Sequence, residues 1–296
     1  MPLDIDVVKN AAKKSSTAII IIGRTAGEEM DARLEEGSFL LTETELDMLH
    51  KVRAEFKNVI VLLNTAGLVD MSFVDSCNPD AVLYVWQGGM TGGTGTADVL
   101  TGKVSPSGKL TDTIAYNVSD YPSDKYFGDK KSNVYHEDIY VGYRWFETFA
   151  PDKVRYPFGF GLSYTTFEIT PIHTSGNGAQ ITITCTVKNT GKFCGKEVVQ
   201  VYLRRVGDTE GPSHALRAFK RTAIAQGETK EVSFELTKDD FEWFDTVSST
   251  MRPIEGEYEI LYGILDEFFI VSEFGELHLA ESLVMAGGDD RKACFI

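Results

Sequence analysis

Apolar and polar positions follow two different rhythms along the chain, and the rhythm changes near residue 165. In the first half, Ala18-Ile-Ile-Ile-Ile22, Val59-Ile-Val-Leu-Leu63 and Ala81-Val-Leu-Tyr-Val85 are unbroken apolar runs. Runs this short and continuous predict strands covered on both faces, because a half-exposed strand alternates. Between the first two, Thr42-Glu-Thr-Glu45 has the form of a capping box, and Leu46, Leu49, Val52 and Phe56 then recur at helical spacing. Strand, helix, strand, short helix, strand is the order of a parallel α/β layer, with right-handed crossovers placing helices on both sheet faces.

After residue 165 the period becomes two. Ile181-Thr-Ile-Thr-Cys-Thr-Val187, Val198-Val-Gln-Val-Tyr-Leu203, Glu231-Val-Ser-Phe-Glu-Leu236 and Tyr258-Glu-Ile-Leu-Tyr262 alternate, with turn signals at Asn189-Thr-Gly-Lys192 and Ala225-Gln-Gly-Glu228 between them. That pattern predicts an antiparallel, immunoglobulin-like β-sandwich. The fold class is therefore α/β plus all-β: a partial α/β sandwich, mostly parallel sheet flanked by helices, followed by a β-sandwich. The boundaries expected are 1–115 for the α/β domain, incomplete at its N-terminal side, and 165–280 for the β-sandwich. Residues 116–164, rich in Tyr, Phe, Gly and Pro, form a connector packed on both, and 281–296 a flexible tail.

The 296 residues carry a net charge of -15, with 43% hydrophobic positions, and suit a soluble protein with a sizeable core. A surface this acidic disfavours nucleic acid as a partner, since it repels phosphates. Ala18 to Ile22 falls far short of the ~20 apolar residues needed to span a bilayer, so no membrane partner is expected. No signal-like N-terminus is seen, and the four cysteines show no CxxC spacing, so a cytoplasmic setting is expected.

Candidate chemistry concentrates after the first strand. Gly23-Arg-Thr-Ala-Gly-Glu-Glu-Met-Asp31 brings Arg24, Glu28, Glu29 and Asp31 to a loop beyond a strand's carboxyl end, where ligands bind in open α/β sheets. Three neighbouring carboxylates oppose each other's ionisation, and a carboxylic acid kept protonated is a general acid. The plainer alternative is an acidic surface loop. No histidine accompanies the three, and neither a metal nor a cofactor is expected. Gly88-Gly-Met-Thr-Gly-Gly-Thr-Gly95 satisfies neither phosphate-binding fingerprint and reads as close backbone packing. Tyr84, Trp86, Tyr135, Tyr140, Tyr143, Trp145 and Phe146 could stack on sugar rings, though packing is the commoner use of such side chains. Ser119-Asp-Tyr121 reads as a turn.

The loop after the first strand, Val85-Trp-Gln-Gly-Gly89, Ala97-Asp-Val-Leu-Thr-Gly-Lys-Val-Ser-Pro-Ser-Gly-Lys-Leu110, Tyr140-Val-Gly-Tyr-Arg144 and Tyr156-Pro-Phe-Gly-Phe-Gly-Leu-Ser-Tyr164 together resemble glycoside hydrolase family 3, of β-glucosidase type. Val187-Lys-Asn-Thr-Gly191 and Gly195-Lys-Glu-Val-Val-Gln-Val-Tyr202 resemble the fibronectin type III-like domain that follows the family's α/β sandwich. The resemblance implies a retaining glycosidase in which a (β/α)8 barrel carries the nucleophilic aspartate and the sandwich lends the acid/base, here Glu28, with Arg24, Glu29 and Asp31 as loop neighbours. The substrate implied is a β-linked glucoside or related glycoside. Nothing in these residues resembles the barrel, which needs ~250 residues, so it is expected in cis or in trans, and the chain is expected to be a fragment or one piece of a split enzyme. The alternative is a non-catalytic carbohydrate-binding or protein-interaction module. An open sheet edge would favour a homo-oligomer.

Overall fold

The computed structural model describes residues 2–25, 32–132, 134–177, 180–254, 256–264, 267–272, 276–278 and 293–295. Contacts divide the chain into two units, one of residues 1–136, 153–162 and 287–296, the other of residues 137–152 and 163–286.

The first unit runs α1 (Ile5–Ala12), β1 (Thr17–Gly23), α2 (Glu43–Glu55), β2 (Asn58–Asn64), α3 (Phe73–Cys77), β3 (Ala81–Tyr84) and α4 (Gly92–Leu100). The three strands are parallel in sequential order, with Ile19 opposite Ile60, Ile21 opposite Leu62 and Leu63 opposite Tyr84. The capping box forms: Thr42 Oγ1 accepts from the Glu45 N–H at 3.1 Å, and the Glu45 carboxylate accepts from the Thr42 N–H at 2.8 Å. Leu49, Val52 and Phe56 are buried, as their spacing required.

β2 is covered on both faces, with Val59, Val61, Leu62 and Leu63 all at 5% exposure or less. β1 is not, and this corrects the expectation drawn from its unbroken isoleucines. Ile20 and Ile22 are buried, but Ile19 and Ile21 are 50% and 63% exposed. The register explains it. Ile21 shares a sheet face with Leu62, and on that face Val99 of α4 packs on Leu62 and Leu83, over β2 and β3. A run of one residue type cannot say which of its members has a neighbour above it. α1 was also invisible to periodicity: its eight residues bury only Val8, and the Asp4 carboxylate caps it by accepting from the Asp6 N–H at 2.8 Å. Ala293–Phe295, inside the stretch expected to be a flexible tail, pair in parallel with β3, whose outer edge otherwise offers unpaired backbone groups.

Two short antiparallel strands, β4 (Ile114–Ala115) and β5 (Val154–Tyr156), complete this unit. Beside them Leu110 and Phe160 are tied by backbone bonds of 2.8 Å from Leu110 N–H to Phe160 C=O and from Gly159 N–H to Leu110 C=O. Gly161 is needed there, because a Cβ would lie 2.2 Å from the Gly108 carbonyl oxygen. Val118–Asp120 form a 3-10 turn whose Asp120 carboxylate accepts from the Asn117 N–H at 3.1 Å, in agreement with the turn read at Ser119-Asp-Tyr121.

The second unit holds α5 (Tyr143–Phe149), then β6 (Phe167–Asn177), β7 (Gln180–Asn189), β8 (Gly195–Arg205), β9 (Ala215–Ile224), β10 (Thr229–Thr237), β11 (Glu242–Asp245), β12 (Thr250–Pro253), β13 (Tyr258–Ile264), β14 (Glu267–Ser272) and β15 (Glu276–His278). Antiparallel pairing gives one sheet in the order β10-β7-β6, another in the order β15-β14-β13-β8-β9, and the hairpin β11-β12. Ile181, Ile183, Cys185 and Val187 of β7 meet Val199, Val201 and Leu203 of β8 in one core cluster, which is the β-sandwich the period-two pattern predicted. Helix α5 had no sequence signal. It is held to the same unit by the Leu216 N–H donating to Tyr143 Oη at 2.8 Å, the Ser213 N–H donating to Thr148 Oγ1 at 2.9 Å, and the His214–Glu147 pair.

Candidate active site at the carboxyl ends of the parallel strands

The loops leaving β1, β2 and β3 emerge at the same edge of the parallel sheet, the edge where α/β proteins bind ligands. At the end of β1 stands Arg24, and its guanidinium is fully engaged. It donates to Ser38 O at 2.9 Å, to Leu40 O at 3.2 Å, to Gly23 O at 2.8 Å, and to both oxygens of Glu45 at 2.7 and 3.0 Å. The paired side chains are only 12% and 21% exposed. Partial burial alone would raise the Glu45 carboxyl. The Arg24 hydrogen bonds and charge, with the Thr42 N–H, outweigh it and hold Glu45 below the usual carboxylate range.

Residues 33–40 fold back on themselves. The Arg33 N–H donates to Ser38 Oγ at 2.9 Å, the Phe39 N–H to Arg33 O at 3.1 Å, and Gly37 takes the left-handed φ of 78° that the tight return needs. Phe39 O accepts from the Asp70 N–H at 2.8 Å, which joins this turn to the loop after β2. That second loop is fixed from below. Tyr84 Oη donates to Gly67 O at 2.5 Å, and Thr65 Oγ1 donates to the same carbonyl at 2.8 Å. Burial pushes the Tyr84 phenol up to about 12, so it remains a donor at any physiological pH. A cavity of about 500 Å³ opens between the two loops, lined among others by Arg24, Thr25, Arg33, Glu35, Ser38 and Thr65.

Of the residues named from sequence, Arg24 lines this cavity, while Glu28, Glu29 and Asp31 lie outside the described residues. Among the described residues there is no cluster of His, Cys, Asp or Glu suited to a metal ion, and no helix long and apolar enough to cross a membrane. Tyr84 and Phe146 are buried, Tyr84 and Trp86 make a tilted contact in the first unit with centroids 4.3 Å apart, and Tyr140, Trp145 and Phe149 cluster in the second. Trp86 holds a left-handed φ of 52°, rare for a bulky residue, at the carboxyl end of β3. In the glycine-rich run the only tight approach is internal, a Cβ on Gly88 meeting Gly92 Cα at 2.7 Å, whereas a Cβ on Gly89, Gly92, Gly93 or Gly95 would meet none of the described residues. The expected packing of this run against a neighbour is therefore not what its glycines serve, and α4 begins within it at Gly92.

Sequence reasoning assigned Glu45 only a capping role and overlooked Ser38. A signal did exist for Glu45. A partly buried arginine gains from a carboxylate partner, and the first turn of the next helix is a place where carboxylates are favoured.

With this geometry in view, comparison with known proteins is direct. Residues 3–164 match the glycosyl hydrolase family 3 C-terminal domain and residues 197–264 the fibronectin type III-like domain. The chain belongs to glycosyl hydrolase family 3. It is 53% identical to a β-glucosidase of Ruminococcus albus over 251 residues, covering 83% of this chain and 26% of that protein. It is 34% identical to a xylan 1,4-β-xylosidase of Xylanibacter ruminicola, over 88% of this chain and 30% of the relative. The crystal structure of a β-glucosidase from Paenibacillus barengoltzii superposes with a TM-score of 0.87 at 41% identity, over 95% of this chain and 32% of that one. The chain thus spans between a quarter and a third of the length of these relatives. The fold class read from sequence, an α/β sandwich followed by a fibronectin type III-like β-sandwich, is the one these matches define.

Proposed function

We propose that this chain supplies the general acid/base, Glu28, of a retaining β-glucosidase-type hydrolysis, working with a nucleophile-bearing (β/α)8 barrel in cis or in trans. The observation that carries the reading is positional. In a chain of this family, Arg24 and Thr25, which follow β1 and precede Glu28 by only a few residues in sequence, line a 500 Å³ cavity. The β-glucosidase relatives support the substrate class, a β-linked glucoside or related glycoside. Glu28 protonates the departing glycosidic oxygen while the barrel's carboxylate forms the glycosyl-enzyme, then takes a proton from the water that releases the sugar. Glu29 and Asp31 are the carboxylates nearest Glu28 in sequence, and with Arg24 they are the proposed neighbours of the acid/base.

The test is hydrolysis of aryl β-glucosides and aryl β-xylosides by the 296-residue chain, alone and mixed with a family 3 barrel domain, with Glu28→Gln in parallel. Activity is expected only in the mixture. Glu28→Gln should lower it by about 10²- to 10⁴-fold for a leaving group that needs protonation, and far less for 2,4-dinitrophenolate. A silent mixture, or equal rates for the two variants on the poor leaving group, overturns the proposal.

A further inference from the structure

We infer that Glu45 is a positioning residue for the proposed acid/base: through its bidentate pair with Arg24 it fixes both ends of the segment in which Glu28 lies. The inference rests on the reading of Glu28 given above, but the clamp itself stands on described residues. One guanidinium bonds Gly23 O on the strand side of the segment, and Ser38 O and Leu40 O on its return side. An arginine can serve three carbonyls in different directions only if its plane is held, and the two Glu45 oxygens at 2.7 and 3.0 Å hold it. Glu45 is in turn held by the first turn of α2, since its carboxylate also accepts from the Thr42 N–H. The chain of contacts therefore runs from a helix packed in the first unit, through one ion pair, to both ends of residues 25–37. The Arg24 donors are spent on these contacts, so its role is to place the loop rather than to touch a sugar.

Three substitutions separate positioning from general stability. Glu45→Gln keeps an acceptor for Thr42 but loses the charge and half of the fork. Arg24→Lys keeps the charge and loses the planar set of donors. Thr42→Ala weakens the helix cap while leaving the guanidinium bonds in place. The first measurement is amide hydrogen exchange in the 296-residue chain. The protected amides of Arg33, Gly37, Phe39 and Leu40 should exchange roughly tenfold faster in Glu45→Gln and Arg24→Lys, with β2 and β3 unchanged, and should keep wild-type rates in Thr42→Ala. Unchanged rates over 33–40 in the first two variants, or acceleration spread evenly through the unit, overturn the clamp.

The second measurement uses the barrel mixture and compares kcat for a poor and a good leaving group. Glu45→Gln should lower kcat for the poor one by roughly tenfold, with KM and the good leaving group little changed, because only protonation depends on where Glu28 sits. If Glu28→Gln lowers kcat for the poor leaving group and Glu45→Gln does so no more than Thr42→Ala, the positioning role is refuted. If Glu28→Gln itself has no such effect, the acid/base reading fails and hydrogen exchange alone decides the clamp.

Discussion

Replacing Asn189 by alanine removes four hydrogen bonds from a side chain with no exposed surface. Its Oδ1 accepts from Thr165 Oγ1 at 2.6 Å and from the Gly191 N–H at 3.1 Å, and its Nδ2 donates to Ile224 O at 3.0 Å and Phe193 O at 2.8 Å. One amide thus joins the segment before β6, the turn after β7 and the end of β9. The bonds to Thr165 and Ile224 lie in the interior, where nothing replaces them. Those to Gly191 and Phe193 sit at the rim, where water can. At about 1.5 kcal/mol for each interior bond and about 0.5 kcal/mol for each rim bond, the loss is near 4 kcal/mol. Against the ~5–15 kcal/mol that holds a typical domain, that is a large part of its stability. With a urea slope of ~2 kcal/mol per molar, the unfolding midpoint of the fibronectin type III-like unit should fall by about 2 M, read in a Trp86→Phe background by the fluorescence of Trp145 and Trp243, both in that unit. Asn189→Asp preserves shape and the one oxygen that accepts from Thr165 and Gly191, but sets a carboxylate oxygen against the two carbonyls of Phe193 and Ile224, and should be at least as damaging. A midpoint within about 0.5 M of wild type for either variant refutes the argument.

Three further outcomes follow from the same kind of reasoning. Gly161→Ala forces a methyl to within 2.2 Å of the Gly108 carbonyl oxygen and should cost the first unit about 2 kcal/mol or more, visible as a lower melting temperature; an unchanged one contradicts the packing described. Hydrogen bonds from Ser248, followed by the Arg252 guanidinium, hold the Asp245 carboxyl down to about 2. Its folded-state value is depressed, so its support of the β11-β12 hairpin is present above the ordinary aspartate range and is lost as pH falls toward 2. Carboxyl titration by NMR should show Ser248→Ala moving the midpoint upward, and no movement would refute the assignment. Finally, exposed Ile19 and Ile21 on β1, the edge strand of the parallel sheet among the described residues, should make the chain self-associate, with Ile21→Lys reducing it; a monodisperse wild-type monomer in sedimentation refutes this.

The order of strands and helices, the capped start of α2 and the alternation of the β-sandwich were legible because each is a local rule: a period, a cap, a turn residue within a few positions of what it governs. The family motifs were legible for a related reason, since glycines that admit no Cβ, such as Gly161 and Gly191, are fixed by contacts the fold cannot relax. The sequence alone therefore determined the two-part architecture and pointed to the loop after β1. Only the tertiary structure decided which isoleucines of β1 are covered, that Tyr84 braces the loop after β2 rather than offering a stacking face, and that Arg24 and Glu45, twenty-one positions apart, form one clamp. Those facts depend on register, on which helix lies over which strand, and on the direction of a guanidinium, and none of them leaves a period in the chain.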